Sequence, residues 1–230
     1  MTFKNIVIIG SSGAIGSALT EHVKDLYPDA ALHTFSSSDG SIHYQNESSI
    51  EAAAKLASTQ GPIDMVIVAT GMLHDNEIMP EKSLKELSAE KLEKLFEVNT
   101  ITPALIAKHF LPYLNRESIS YFAALSARVG SISDNQLGGW YSYRASKAAL
   151  NMIIKNASIE VARRNKKAVI VGLHPGTVDS YLSKPFQGSV PEGKLFTPEY
   201  SAERLVNVLK TLTVEDSGKC FDWNGLEILP

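Results

Sequence analysis

The sequence predicts a doubly wound α/β fold, a single domain over residues 1–230 in which a parallel sheet of about seven strands carries helices on both faces. Three observations predict it. Short apolar runs alternate with longer amphipathic stretches from one end of the chain to the other. The runs lack the polar alternation of a half-exposed strand, the pattern of strands covered on both faces. A glycine-rich turn directly follows the first run and opens the first amphipathic stretch.

The elements follow in order. Residues 5–9 read as a buried strand, and 17–27 as a helix stopped by Pro28, which has no N–H for the helical ladder. A second strand covers 31–35 and a short third one 42–44. A helix over 48–58 leads to the turn pair Gly61 and Pro62, and 64–69 is the fourth strand. The apolar period across 88–114 is helical, 120–125 is a strand and 143–164 a long helix. Residues 168–173 form a sixth strand, 201–212 a helix and 218–223 a short last strand. No internal repeat, low-complexity segment or linker divides the chain.

Composition removes several function classes. The 22 Lys and Arg against 25 Asp and Glu give a net charge of −3, with no block of like charge, which argues against binding by phosphate neutralisation. The single Cys220 excludes a disulfide framework and a multi-cysteine metal site. His74, His109 and His174 have no ligand spacing to one another, so no metal is expected. The apolar runs are too short to span a bilayer, and the N-terminus has no signal-peptide pattern, so the expected compartment is the cytoplasm.

Two motifs carry chemistry. The turn Gly10, Ser11, Ser12, Gly13, Ala14, Ile15, Gly16 lies where a strand feeds a helix N-terminus, whose free N–H groups and positive dipole suit a pyrophosphate. Its glycines fall three apart, unlike the general dinucleotide fingerprint. Tyr143 and Lys147 stand four residues apart on one helix face. A fixed cation beside a phenol favours the phenolate, so this pair can exchange a proton with a substrate oxygen.

In this order the motifs carry a resemblance. Gly10 to Gly16, Asn99 between Val98 and Thr100, Ser126, Tyr143 with Lys147, and the run from His174 to Ser180 resemble the short-chain dehydrogenases/reductases, in particular a carbonyl-reductase subgroup related to the C-factor signalling proteins. The match covers nearly the whole chain. It implies a Rossmann-type fold and an NAD(P)-dependent oxidoreductase moving hydride between the cofactor and a small carbonyl or secondary alcohol. The alternative is a cofactor-binding signalling or regulatory protein with little turnover.

The resemblance also implies roles. Tyr143 is the general acid or base, Lys147 lowers its pKa and holds the ribose, and Ser126 binds the substrate oxygen. Asn99 helps hold a relay water, which Pro103 supports: it donates no N–H, so the Asn99 carbonyl four residues earlier is left free. Ala69, Thr70 and Gly71 approach the cofactor after the fourth strand. Pro175, Gly176, Thr177 and Val178 lie along the nicotinamide, with Thr177 and Ser180 candidates for its carboxamide. Ser36, Ser37 and Tyr44 fall on the adenosine side. A homodimer or homotetramer through 88–114 and 143–164 is implied as well.

Departures from the family pattern matter. Ala127 stands where the usual serine precedes Gly130 by three, leaving Ser126 one position early and Ser131 as fallback. Thr70 replaces an amide, and His43 stands where an aspartate is common. The second strand ends in Phe35 and serines 36–38 rather than an acid, with Asp39 too late, which favours NADP(H) although no Arg or Lys stands there. The substrate loop is 181–197, with Trp140 and residues 72–74 as other walls, and its apolar residues point to an uncharged substrate.

Overall fold

Every residue of β1 (Asn5–Ile9) is buried, and its alternate side chains go to opposite faces. Ile6 and Ile8 enter one core, Val7 and Ile9 the other. The computed structural model describes residues 2–230. In it β2 (Ala31–Phe35), β1, β3 (Met65–Val68), β4 (Ser120–Leu125) and β5 (Ala168–His174) lie side by side in that order, all parallel. A two-residue parallel pair, β6 (Thr177–Val178) and β7 (Leu195–Phe196), brackets the intervening loop. The main sheet is completed by β8 (Cys220–Asp222), parallel to β5, and β9 (Glu227–Ile228), antiparallel to β8, which makes seven strands.

Helices cover both faces. α1 (Ala14–Leu26) and α6 (Pro198–Thr211) pack on one. The other carries α2 (Glu47–Ser58), α4 (Thr102–Phe110) and α5 (Tyr141–Val161). α3 (Ala89–Phe96) precedes α4 and packs against α5. Thr197 caps α6 by accepting from the Tyr200 N–H, with Pro198 at the first helical position, where its missing donor costs nothing. No helix among the described residues is long and apolar enough to cross a membrane.

Three segments differ from expectation. Residues 42–44 form no strand: Ile42 plugs the core beside α2, while the His43 N–H is taken by the Ser49 hydroxyl, 2.9 Å away. The helical stretch 88–114 is broken by a π-helical turn, Glu97–Ile101, just before Pro103. That turn buries Asn99 and Thr100 against α5, where Thr100 donates to the Ser146 carbonyl at 2.8 Å. β6, β7 and β9 are two residues each, too short to show a period in sequence.

Candidate active site

The carboxyl ends of parallel strands leave a crevice where ligands bind in such sheets. Here it is a cavity of about 760 Å³. Ser12, Gly13, Ala14 and Ile15 bring the N-terminus of α1 to it, and Ala69, Thr70 and Gly71 line it after β3. Ser126, Tyr143 and Lys147 line its far half together with Pro175, Gly176, Thr177, Val178 and Ser180. Gly10, Ser11 and Gly16 belong to the same turn but do not line the cavity. Gly10 is left-handed (φ +83°), and a side chain on Gly16 would place its Cβ 2.0 Å from the Gly10 carbonyl oxygen. The glycines thus let the turn close on itself.

Tyr143 and Lys147 are both buried, at 9% and 2% exposure. The Lys147 Nζ lies 5.9 Å from the phenol ring centroid and donates to the Leu125 carbonyl at 2.8 Å, so the ammonium is anchored on the end of β4. Burial pushes Lys147 down to about 8. Burial also pushes the Tyr143 phenol upward, with no offsetting cation, so without a ligand the phenol is held protonated. Burial alone sets that direction, and the expected lowering by Lys147, whose Nζ is bonded to the Leu125 carbonyl, does not offset it.

Asn99 does not line the cavity but braces it. Its Oδ1 accepts from the Met72 N–H at 2.9 Å and its Nδ2 donates to the Met72 carbonyl at 2.8 Å and to Ser146 at 3.1 Å. Gly71 is thereby fixed next to both Asn99 and Lys147.

The two serine candidates have other partners. Ser126 continues the ladder through its N–H to the Leu173 carbonyl, and its hydroxyl donates to the Asn151 Oδ1 at 2.6 Å. Alternation along the chain then turns Ala127 into the apolar cluster that contains Tyr143. Ser131 accepts from the Asp134 N–H and does not line the cavity. Ala127, clustered with Tyr143, carries only a methyl group, while the Ser126 hydroxyl at the cavity wall is held by Asn151.

A model of the short chain dehydrogenase family matches residues 40–189. The chain belongs to that family. The short-chain dehydrogenases similar to it include the 1-hydroxy-2-glutathionyl-2-methyl-3-butene dehydrogenase of Rhodococcus sp. (strain AD45), 28% identical over 93% of this chain and 94% of that one. The C-signal protein of Myxococcus xanthus is 30% identical over 73% of this chain and 93% of its own. Among solved structures, an NADPH-bound carbonyl reductase from chicken fatty liver superposes with a TM-score of 0.83, at 21% identity and full coverage of both chains, which shows a common fold. As a short-chain dehydrogenase the protein is an NAD(P)-dependent oxidoreductase of carbonyls or alcohols.

The residues present fit such a cofactor. Gly13 caps α1 without any side-chain bond, and the first turn holds no acid, so the helix N-terminus is open to an anion. The Thr70 Oγ1 is buried with no partner beside that turn. At the adenosine end, Ser36 is buried and outside the cavity lining, its hydroxyl 2.7 Å from those of Ser12 and Ser38. Ser37 is exposed, and Tyr44 sits behind Gly10, burial raising its phenol to about 12.

Sequence reasoning missed Glu81, Asn151 and Arg128. Ser142 meets Glu81 from 61 positions away, Ser126 meets Asn151 from 25, and Arg128 meets Asp222 from 94. No local pattern signals contacts at such separations.

Proposed function

We propose that this short-chain dehydrogenase reduces a small carbonyl compound with NADPH, Tyr143 giving the proton to the carbonyl oxygen. The observation that carries the reading is the convergence of a buried Tyr143–Lys147 pair and the open N-terminus of α1 on one cavity. A bound nicotinamide dinucleotide supplies the hydride. A phenol kept protonated by burial is the form needed to donate, and the anchored Lys147 ammonium stabilises the phenolate left behind. Lys147 is placed to hold the ribose, Asn99 to fix the Met72 backbone beside it, and Pro175 to Val178 to flank the nicotinamide.

The serine hydroxyls of Ser12, Ser36 and Ser38 support NADP(H), since a phosphate can accept from each of them. Asp39 is exposed and accepts from the Ser41 N–H, which supports a reading in which it does not hold the ribose. A pure signalling module needs no buried phenol and lysine, which favours the enzyme. We place it in the cytoplasm as a single-domain homodimer or homotetramer, with Met152 and Ile159 of α5, 59% and 50% exposed, in the contact.

Fluorescence titration with NADPH and NADH, followed by a screen of aldehydes and ketones, tests this. Micromolar or tighter NADPH binding, with turnover abolished in Tyr143→Phe while binding persists, is expected. Full activity in that variant, or binding of neither cofactor, overturns the reading.

A further inference from the structure

Arg128 begins a short helical turn two residues after Ser126. Its side chain reaches across the end of β5 to β8, where Nη2 meets the Asp222 Oδ2 at 3.0 Å. Asp222 is 5% exposed, and its other oxygen accepts the N–H groups of Asn224 and Leu226, each at 2.9 Å. The carboxylate is thus a fixed anchor that determines where the guanidinium stands. It uses one edge of the fork only. Asp134 lies 3.9 Å from Nη1 in an exposed position, a contact that water screens heavily.

His174 is the strand partner of Asp222 and stands near both that carboxylate and the Arg128 guanidinium. Its Nδ1 is buried with no hydrogen-bond partner, a costly arrangement unless a ligand completes it. Burial and the neighbouring guanidinium hold the imidazole neutral, near a pKa of about 4. Arg128 and His174 both line the cavity, and Lys194 lines it from the substrate loop. Among the described residues no Asp or Glu lines it, on a chain whose net charge is −3.

The location separates this group from the adenosine end of the dinucleotide. The adenosine end lies at β2, on one side of the sheet, whereas Arg128 follows β4, and His174 and Asp222 end β5 and β8 on the other side. A cation there shares the cavity with Tyr143 and the substrate loop. We infer that the Arg128 guanidinium, with His174 beside it, is a subsite for a carboxylate, so that the substrate is a carbonyl compound bearing an anionic group. This rests on the reductase reading for its reaction, but not for its binding. The substrate loop, whose apolar residues by themselves point to an uncharged substrate, also brings the Lys194 cation to the cavity. A charge-assisted fork to a carboxylate carries the specificity.

The test is calorimetric titration of the full chain, with and without NADPH, using benzoate and the isosteric neutral benzamide. Benzoate is expected to bind about tenfold tighter than benzamide, and Arg128→Met to erase that difference with NADPH affinity unchanged. Should Arg128→Met misfold by orphaning Asp222, the double variant Arg128→Met with Asp222→Asn removes the unpaired charge and gives the same readout. With turnover, 4-carboxybenzaldehyde is preferred to its methyl ester, and the preference disappears in the variant. Equal binding of the two probes, or a benzoate preference that survives loss of Arg128, overturns the subsite. Arg128-dependent benzoate binding in a protein that binds no dinucleotide would instead keep the subsite and sink the reductase reading.

Discussion

The Glu81 carboxylate receives both the backbone N–H and the hydroxyl of Ser142, the residue immediately before Tyr143. Glu81 is 1% exposed, and its own carbonyl accepts the Trp140 N–H at 2.5 Å. Trp140 is left-handed (φ +50°), the one described non-glycine residue with positive φ, and follows two left-handed glycines, Gly138 and Gly139. Such a conformation costs of order 1 kcal/mol or more and persists only where neighbours enforce it. The buried anion at the positive end of α5 does so, holding the indole within 6.2 Å of the Tyr143 ring.

Removing that clamp has a defined cost. Glu81→Ala leaves the Ser142 N–H and hydroxyl buried without an acceptor, and a loss of about 2–3 kcal/mol in urea unfolding is expected. Turnover should fall with it, as Tyr143 loses its reference point. Glu81→Gln keeps an acceptor of the same shape and should recover most of both. Equal damage from the two substitutions would show that charge, rather than position, is what Glu81 contributes.

That clamp also marks the limit of what the sequence reveals. The apolar runs specified β1, β3, β4 and β5 because a strand buried on both faces needs them, and the turn before α1 and the spacing of Tyr143 to Lys147 are local patterns. The partners of Ser126, Ser142 and Arg128 are not, since folding brings them together from distant positions. The sequence placed a serine hydroxyl near the phenol; the backbone alternation that sends it to Asn151, and Ala127 to Tyr143, is visible only once the strand end is fixed. The phenol's pKa reverses direction for a similar reason, because burial is a property of the assembled site.

Lys147 makes stability depend on pH. Its folded pKa of about 8 lies below the ordinary lysine value of 10.5, so the unfolded chain binds more protons between those values. Stability contributed at this position therefore rises with pH through that window and is flat below it. Lys147→Met has no such titration. In the cofactor-free protein, the stability of the wild type relative to this variant should grow by up to about 3 kcal/mol from pH 7.5 to 10.5. Parallel urea titrations across that range measure it, and a constant difference would show that the ammonium is not desolvated.

Ser126 and Ala127 can be separated by exchange of a single hydroxyl. Because Ser126 donates to Asn151, Ser126→Ala should cost about 1 kcal/mol in stability and lower turnover less than tenfold. Ala127→Ser places a donor in the cluster that holds Tyr143, where developing charge on the substrate oxygen can use it, so kcat should rise. Steady-state kinetics with one ketone suffices. A loss of several hundredfold in Ser126→Ala would mean that its hydroxyl leaves Asn151 when substrate binds.

The closure of the glycine turn gives the last contrast. On Gly16 a methyl group would lie 2.0 Å from the Gly10 carbonyl oxygen, and that oxygen is backbone in a turn whose N–H groups at Gly10 and Ser11 are both held by the Phe35 carbonyl. Relief therefore requires the turn to move away from the end of β1, with α1 following. On Gly13 the same methyl group meets the Gly10 oxygen at 3.4 Å, which small adjustments accommodate. Gly16→Ala should cost about 2–3 kcal/mol and weaken NADPH binding at least tenfold, whereas Gly13→Ala should leave the unfolding midpoint within about 0.5 kcal/mol of wild type. Chemical unfolding and a cofactor titration of both variants decide it, and a stable, tightly binding Gly16→Ala protein would mean that the turn is not the rigid element on which the dinucleotide reading depends.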